Sequence, residues 1–311
     1  MAEAVDAVLL LGPTASGKSA LAMQLAEETP LEIVSVDSAQ VYRGLDIGTA
    51  KPSKADRAAV PHHLIDIRDP VEPYSAAEFV RDATAAIHDV RGRDKLPLLV
   101  GGTMLYAKAL RDGLSNLPSA NPELRKRIEA EAHEFGWPAL HARLVRVDPA
   151  TAGRLEPNDG QRVQRALEIY ETTGTPMSEL IVETQTPKLN VVTIALTPTD
   201  RVGLHRRIEQ RFEAMLAAGF INEVQGLFGR GDMHAGLPAV RSVGYRQAWS
   251  LIEGSLSFAE FKAAALASTR QLAKRQITWL RSMKAEAIVE PSSTVSHQLA
   301  HLLRNLPIHT R

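Results

Sequence analysis

The chain has 311 residues, of which 44% are apolar, with 36 basic side chains balanced by 36 acidic ones and no cysteine. That length supports one large or two moderate domains with ample core, and the missing thiols exclude disulfides, thiolate zinc sites and cysteine nucleophiles. No run approaches the roughly eighteen apolar residues of a membrane span, and no basic stretch precedes the first apolar run, so a cytoplasmic protein with no signal peptide and no membrane partner is expected.

The first element is the strand-like run Val8-Leu9-Leu10-Leu11, and good helix-forming sequence begins at Ser19. Between them lies Gly12-Pro13-Thr14-Ala15-Ser16-Gly17-Lys18-Ser19, a complete match to the phosphate-loop pattern G-x-x-x-x-G-K-[ST]. The strand–loop–helix setting is the context that confirms the match. Its glycines let successive N–H groups turn inward onto phosphate oxygens, where the helix N-terminus adds partial positive charge. Lys18 would reach the outer phosphate, and the Ser19 hydroxyl would ligate magnesium.

Leu31 to Val36 reads as a second strand, delivering Asp37 to its carboxyl end. Ser75 with Glu78 three residues on forms a capping box for a helix running to about Val90. Leu96 to Val100 reads as a third strand, ending in Gly101-Gly102-Thr103. Alternating strands and helices of this kind build a parallel sheet with helices on both faces. From Leu117-Pro118 to about Pro187 only helical segments occur, and strand signal returns over 189–196. The helical block therefore reads as an insertion within one α/β domain. Helices are expected over about 203–217, 220–229 and 259–283, while 291–311 is weakly patterned.

Ligand groups in such sheets gather at the carboxyl ends of the strands. Asp37 there is either a turn cap or a carboxylate facing bound phosphates, as magnesium partner or general base. Gly101-Gly102-Thr103 is either a tight turn or a close backbone approach to a ligand. It stands where a nucleotide hydrolase would often carry an acid, which argues against ATP hydrolysis. His62 and His63 are adjacent and point apart on a strand, so a metal site is not expected there.

Residues 201–311 carry 15 Lys and Arg against 8 Asp and Glu, an excess of positive charge suited to an anionic polymer or to an arginine-rich helical surface. Within them Arg270, Lys274, Ile277 and Arg281 form one helical stripe, with Gln271, Gln276 and Trp279 interleaved. Cations for phosphate, amides for base edges and an aromatic for stacking are what nucleic-acid readers need. Arg162 and Arg165 share a helical face in the inserted block. Arg206, Arg207 and Arg211 are set apart, because Glu209 and Glu213 can pair with them along the helix.

Taken together, the phosphate loop, Asp37-Ser38-Ala39-Gln40-Val41-Tyr42, Asp46-Ile47-Gly48-Thr49-Ala50-Lys51-Pro52, Pro61-His62-His63 and Gly101-Gly102-Thr103-Met104-Leu105-Tyr106 resemble the bacterial tRNA dimethylallyltransferase family. So do Asn158-Asp159-Gly160-Gln161-Arg162, Arg241-Ser242-Val243-Gly244-Tyr245-Arg246 and the run from Thr269 to Arg281. The resemblance spans about residues 8–283, with no departure at a motif position. Eukaryotic members carry an added zinc-finger region, which a cysteine-free chain cannot form.

The resemblance implies a P-loop kinase-like α/β core, residues 1–118 and 188–311, with an inserted all-helical domain, 119–187, contacting tRNA. It implies transfer of the dimethylallyl group from its diphosphate to N6 of the adenosine 3′-adjacent to the anticodon, in tRNAs reading codons that begin with U. Gly12 to Ser19 would hold the diphosphate with magnesium as cofactor, Asp37 would accept the N6 proton, and Thr103 would hydrogen-bond near the diphosphate. Contacts to tRNA would come from Asp37-Ser38-Ala39-Gln40, Thr103, Arg125, Gln161-Arg162-Val163-Gln164-Arg165, Arg241-Ser242-Val243-Gly244-Tyr245-Arg246 and Lys274-Arg275-Gln276-Ile277-Thr278-Trp279-Leu280-Arg281. A monomer suffices. The competing readings are a P-loop kinase for small molecules or nucleosides, and a non-catalytic, nucleotide-switched RNA-binding protein.

Overall fold

The structure, a computed structural model, describes residues 4–115, 117–181, 184–185, 189–283, 285–290, 295–305 and 307. Its strands in chain order are β1 (Ala7–Leu11), β2 (Leu31–Val36), β3 (His62–His63), β4 (Leu96–Gly101), β5 (Leu114–Ser115), β6 (Thr184–Gln185), β7 (Val191–Leu196) and β8 (Ala287–Val289). Six of them form a sheet in the order β3-β2-β4-β1-β7-β8, parallel at every pairing, and β5 pairs antiparallel with β6. Parallel sheets are covered on both faces, which is why β1 and β4 are buried along their whole length and read as continuous apolar runs.

The helices are α1 (Lys18–Glu28), α2 (Lys54–Ala59), α3 (Ala76–Arg91), α4 (Met104–Asp112), α5 (Pro122–Phe135), α6 (Trp137–Val147), α7 (Pro149–Ala152), α8 (Gly160–Thr173), α9 (Met177–Leu180), α10 (Arg201–Ala217), α11 (Phe220–Phe228), α12 (Tyr245–Ile252), α13 (Phe258–Ser282) and α14 (Val295–Arg304). The chain divides into two units, residues 1–111 with 188–311, and residues 112–187.

In the larger unit, alternation along the strands feeds two cores. Leu9, Leu11, Val34, Val36 and Leu99 pack with Phe79, Ala83 and Ile87 of α3 and with Phe212, Trp249 and Phe261 of α10, α12 and α13. Val8, Leu10, Ile33 and Leu98 pack with Leu21 and Leu25 of α1 and with Leu299 and Leu303 of α14. Ser75 begins α3 with the expected capping box. The weakly patterned tail holds α14, whose apolar side chains cover α1; its amphipathic period is only three turns long, too short to stand out in the sequence.

Glu32 is the polar exception in β2, only 2% exposed. Its carboxylate accepts from Arg93 (2.7 and 3.1 Å) and Lys95 (3.1 Å) and lies 2.7 Å from His63 Nε2. The Arg93 hydrogen bonds lead in holding its pKa down at about 2, against the opposing effect of burial. His63 is thereby committed to a carboxylate and His62 to the Val60 carbonyl at 2.7 Å. Among the described residues no cluster of acids and histidines could hold a metal, and no helix is long and apolar enough to cross a membrane.

The smaller unit has its own core, in which Ile128, Leu140, Leu144, Val163, Ala166 and Leu167 join α5, α6 and α8. Glu168 lies fully buried in α8. It accepts from the Asn121 N–H (2.7 Å), from Arg125 (3.0 and 3.1 Å) and from Arg165 (2.7 Å). Burial works to raise its pKa, but these hydrogen bonds outweigh it and keep the carboxyl below the ordinary range.

Candidate active site

Three strand ends meet on one side of the sheet. Gly12 N–H donates to the Gly101 carbonyl (3.3 Å), and the N–H groups of Gly102 and Thr103 both donate to the Val36 carbonyl (3.2 and 3.1 Å). A Cβ on Gly101 would lie 2.0 Å from that carbonyl oxygen. Gly101 thus allows close packing of β4 on β2, and Gly101, Gly102 and Thr103 all line the cleft. The loops after β1, β2 and β4 line a cleft of about 930 Å³ that lies wholly within the larger unit.

On its polar side are Thr14 to Ala20, Asp37 to Gln40, Thr103, Arg207 and Arg211. Desolvation, followed by the neighbouring Arg211 charge, pushes the Lys18 ammonium down to a pKa of about 8, while Asp37 pulls the other way. Burial also lowers the Arg211 pKa, again opposed by Asp37. Two desolvated cations thus lie in the field of one carboxylate, and Lys18 Nζ donates to the Pro13 carbonyl at 3.3 Å. Ser16 Oγ is buried with no hydrogen-bond partner. Crowded cations and an orphaned hydroxyl at a helix N-terminus are the electrostatic state that an anion would relieve.

Asp37 caps its turn and also lines the cleft. Its Oδ1 accepts from the N–H groups of Ala39 (2.9 Å) and Gln40 (3.3 Å), capping the turn, while the carboxylate lines the cleft. Thr103 Oγ1 accepts from the Ser38 N–H at 3.1 Å, which orients the hydroxyl beside Asp37's turn.

Two residues of the site were not anticipated. Along α10, Glu213 pairs with Lys262 of α13 at 2.6 Å and Glu209 approaches Arg270 at 3.8 Å. The expected pairing with Arg207 and Arg211 is therefore replaced by cross-helix pairing. Arg207 Nε instead donates to the Ala15 carbonyl of the phosphate loop (3.0 Å), and Arg211 lies 3.4 Å from the Thr49 carbonyl. The readable signal was their spacing. Arg207, Arg211 and Met215 follow at i, i+4 and i+8, next to the core stripe of Leu204, Ile208 and Phe212.

Glu223 of α11 was also missed. Its two oxygens accept from the N–H groups of Asp46 (2.9 Å), Ile47 (2.6 Å) and Gly48 (3.1 Å) and from the Tyr245 hydroxyl (2.5 Å). Gly48 fits because any Cβ would fall within 2.3 Å of the Phe220 ring. Lys51, nearly fully buried, donates to the Tyr42 carbonyl, Asp46 and Asp66. The 46–52 motif thus builds one wall of the cleft instead of supplying reactive groups.

The residues that the resemblance assigns to tRNA fall into two kinds. Lys274, Arg275, Thr278, Trp279 and Arg281 of α13 are exposed, as are Arg241, Arg246, Gln161 and Arg162. Ser242 and Val243 are half-buried beside the cleft. Ile277 is half-buried against the core, and Leu280, Tyr245 and Val163 are buried in it, so packing occupies their side chains. Burial raises the Tyr245 pKa first, with the Glu223 charge adding to it. Arg125 and Arg165 are drawn to Glu168, and Gln164 donates to the Arg125 carbonyl at 3.2 Å. Gln276 is buried at the cleft and bonded on both sides of its amide, which engages in this structure the groups expected for base edges.

Apolar side chains line the same cleft, among them Phe212, Met215, Phe220 and Leu272. A strand–phosphate-loop–helix unit in a parallel sheet flanked by helices defines a P-loop protein. Known proteins narrow this class. The IPP transferase family model matches residues 40–283, and the isopentenyl transferase model matches residues 5–72. The chain is 57% identical over 295 residues to a tRNA dimethylallyltransferase of Bordetella petrii, covering 93% of this chain and 94% of that one. Among solved structures, a full-length tRNA isopentenylpyrophosphate transferase from Bacillus halodurans matches with a TM-score of 0.69 at 35% identity, covering 96% of this chain and 95% of that one. A eukaryotic dimethylallyltransferase acting on tRNA matches with a TM-score of 0.79 at 26% identity, covering 98% of this chain and 81% of that one. The chain belongs to the IPP transferase family.

Proposed function

We propose that this chain transfers the dimethylallyl group of dimethylallyl diphosphate to N6 of the adenosine 3′-adjacent to the anticodon, in tRNAs reading U-starting codons, and releases diphosphate. The observation that carries the reading is one cleft lined both by the phosphate loop with Lys18, Arg207 and Arg211 and by the apolar side chains of Phe212, Met215, Phe220 and Leu272. The relatives named above act on tRNA by their names, and none of them supports a kinase.

In this reading Lys18, Arg207, Arg211 and the loop N–H groups take up the charge that develops on the diphosphate as the C1–O bond breaks. Ser16 Oγ, free of any protein partner, adds a donor. The N6 lone pair forms the new bond to C1, and Asp37 accepts the proton that N6 loses. Thr103 orients beside it through the Ser38 N–H. Phe212, Met215, Phe220 and Leu272 keep water from an allylic cation that would otherwise be hydrolysed. Ser19 and Asp37 offer one hydroxyl and one carboxylate at the cleft. That small set suits magnesium, an ion that keeps waters and takes phosphate oxygens, and when bound it would supply charge neutralisation. Exposed Lys274, Arg275 and Arg281 would hold tRNA phosphates, and Trp279 would stack on a base. Splaying the target adenine out of its stack would cost a few kcal/mol.

The test is incubation with unmodified tRNA and dimethylallyl diphosphate, followed by mass spectrometry of the nucleosides. A prenylated adenosine next to the anticodon is expected. No product with either substrate in excess, or phosphate transfer from ATP instead, would overturn the proposal.

A further inference from the structure

Helix α13 presents Ala273, Gln276 and Leu280 to the interior at i, i+3 and i+7. Two of the three are apolar, as a core stripe requires. The third is an amide, 8% exposed. Burying an amide is unfavourable unless both its halves are hydrogen-bonded, and here both are. Gln276 Oε1 accepts from the Thr14 N–H of the phosphate loop at 2.9 Å, and Nε2 donates to the Gly102 carbonyl at 2.8 Å. Thr14 N–H can only donate and the Gly102 carbonyl can only accept, so one orientation of the amide satisfies both. A Cβ on Gly102 would lie 2.5 Å from Nε2, so the glycine also makes room for this contact.

These two partners belong to different parts of the site. Thr14 opens the loop that would hold the diphosphate, and Gly102 precedes Thr103 beside Asp37's turn. The only other direct tie between the two loops that hydrogen bonds provide among the described residues is the longer one from Gly12 N–H to the Gly101 carbonyl, 3.3 Å.

We propose that Gln276 is a positioning residue for diphosphate binding. It holds the phosphate loop in its anion-receiving shape and fixes the distance between that loop and Thr103, with α13 as the rigid support. This deepens the function proposed above and rests on the phosphate loop holding a diphosphate. It departs from the use of Gln276 on tRNA that the resemblance implies.

The test uses the full-length chain with Gln276→Met, which keeps the length and volume of the side chain and removes both hydrogen bonds. Binding of inorganic diphosphate with magnesium, without tRNA, is expected to weaken about tenfold, as two neutral hydrogen bonds would give. Affinity for unmodified tRNA is expected to stay within about twofold, since the amide faces the interior. Hydrogen exchange of the peptide spanning residues 12–19 in the ligand-free protein is expected to quicken. That second measurement does not depend on what the cleft binds, so a wild-type protein that ignores diphosphate would overturn the function while leaving this inference testable. Unchanged exchange, unchanged diphosphate affinity, or a loss confined to tRNA binding would each overturn the positioning role. Gln276→Asn, whose shorter side chain withdraws the amide from both partners, is expected to give the same losses and replaces the methionine variant if that one does not fold.

Discussion

Two cations meet one carboxylate at Glu168 in the smaller unit and at Asp37 in the larger one, yet only at Glu168 are they hydrogen-bonded to it. At Glu168 in the smaller unit, two arginines and a backbone N–H converge on a fully buried acid, and each charge has its partner. In the cleft of the larger unit Lys18 and Arg211 lie in the field of Asp37, Arg207 adjoins the same loop, and Ser16 Oγ has no partner. A satisfied network like that at Glu168 makes structure, whereas desolvated cations without a bonded acid are the state that an anion would relieve. The difference separates arginines bonded to an acid from arginines that line an open cleft, which residue type alone does not do.

The comparison breaks most sharply at Asp37. Asp37→Ala is expected to slow prenyl transfer by about 10²–10⁴-fold, measured in single turnovers, with tRNA affinity largely intact; turnover within a few-fold of wild type would remove the general-base role. Glu168→Ala probes the satisfied side. It leaves Arg125 and Arg165 without their acid and should destabilise residues 112–187 by about 3–5 kcal/mol in urea unfolding followed by hydrogen exchange. Diphosphate binding by the same variant should not change.

Lys18 tests the desolvated cations by pH. Its pKa of about 8 lies below the unfolded value, so the folded protein binds that proton less well. The charged lysine therefore weakens the ligand-free fold at all pH values below about 8, and the penalty fades as pH rises toward that of a free lysine. Lys18→Met should accordingly raise the Tm at pH 7 by a few degrees while abolishing diphosphate binding, and the gain in Tm should shrink at pH 10. In the wild type, diphosphate requires the protonated ammonium, so affinity should fall as pH climbs through about 8. Calorimetry in buffers of different ionisation enthalpy should register proton uptake on binding there. The smallest effect concerns α13. Lys274→Ala should weaken tRNA binding and lower its salt slope by about one, and Arg270→Ala should do less, because Glu209 already approaches that guanidinium.

Local pattern made the strand–loop–helix at residues 8–26, the capping box at Ser75 and the long helices α10, α11 and α13 legible, because each depends on neighbours within a few residues. Arg207 and Arg211 were not legible for the same reason. Glu209 and Glu213 stand only two residues from Arg211 and so face another side of α10, where the approach of α13 gives them Arg270 and Lys262 as partners. Glu223 gave no signal at all, since its partners are backbone N–H groups some 175 residues earlier. Gln276 looked like a polar residue on a basic stripe, and the helix's rotation turned it inward.

By itself, the sequence determined that a phosphate-loop pattern stands between the first strand and the first helix, that the sheet is parallel, and that α13 carries a basic stripe. These follow from short-range spacing, from backbone conformations that glycine and lysine positions specify, and from formal charge. Which cations face the phosphate, whether Asp37 looks into the cleft, and which way the Gln276 amide points were decided only by tertiary structure. Burial, desolvation and hydrogen-bond satisfaction depend on what packs alongside, and in this chain those neighbours come from α10, α11 and α13, far along the sequence from the loop they complete.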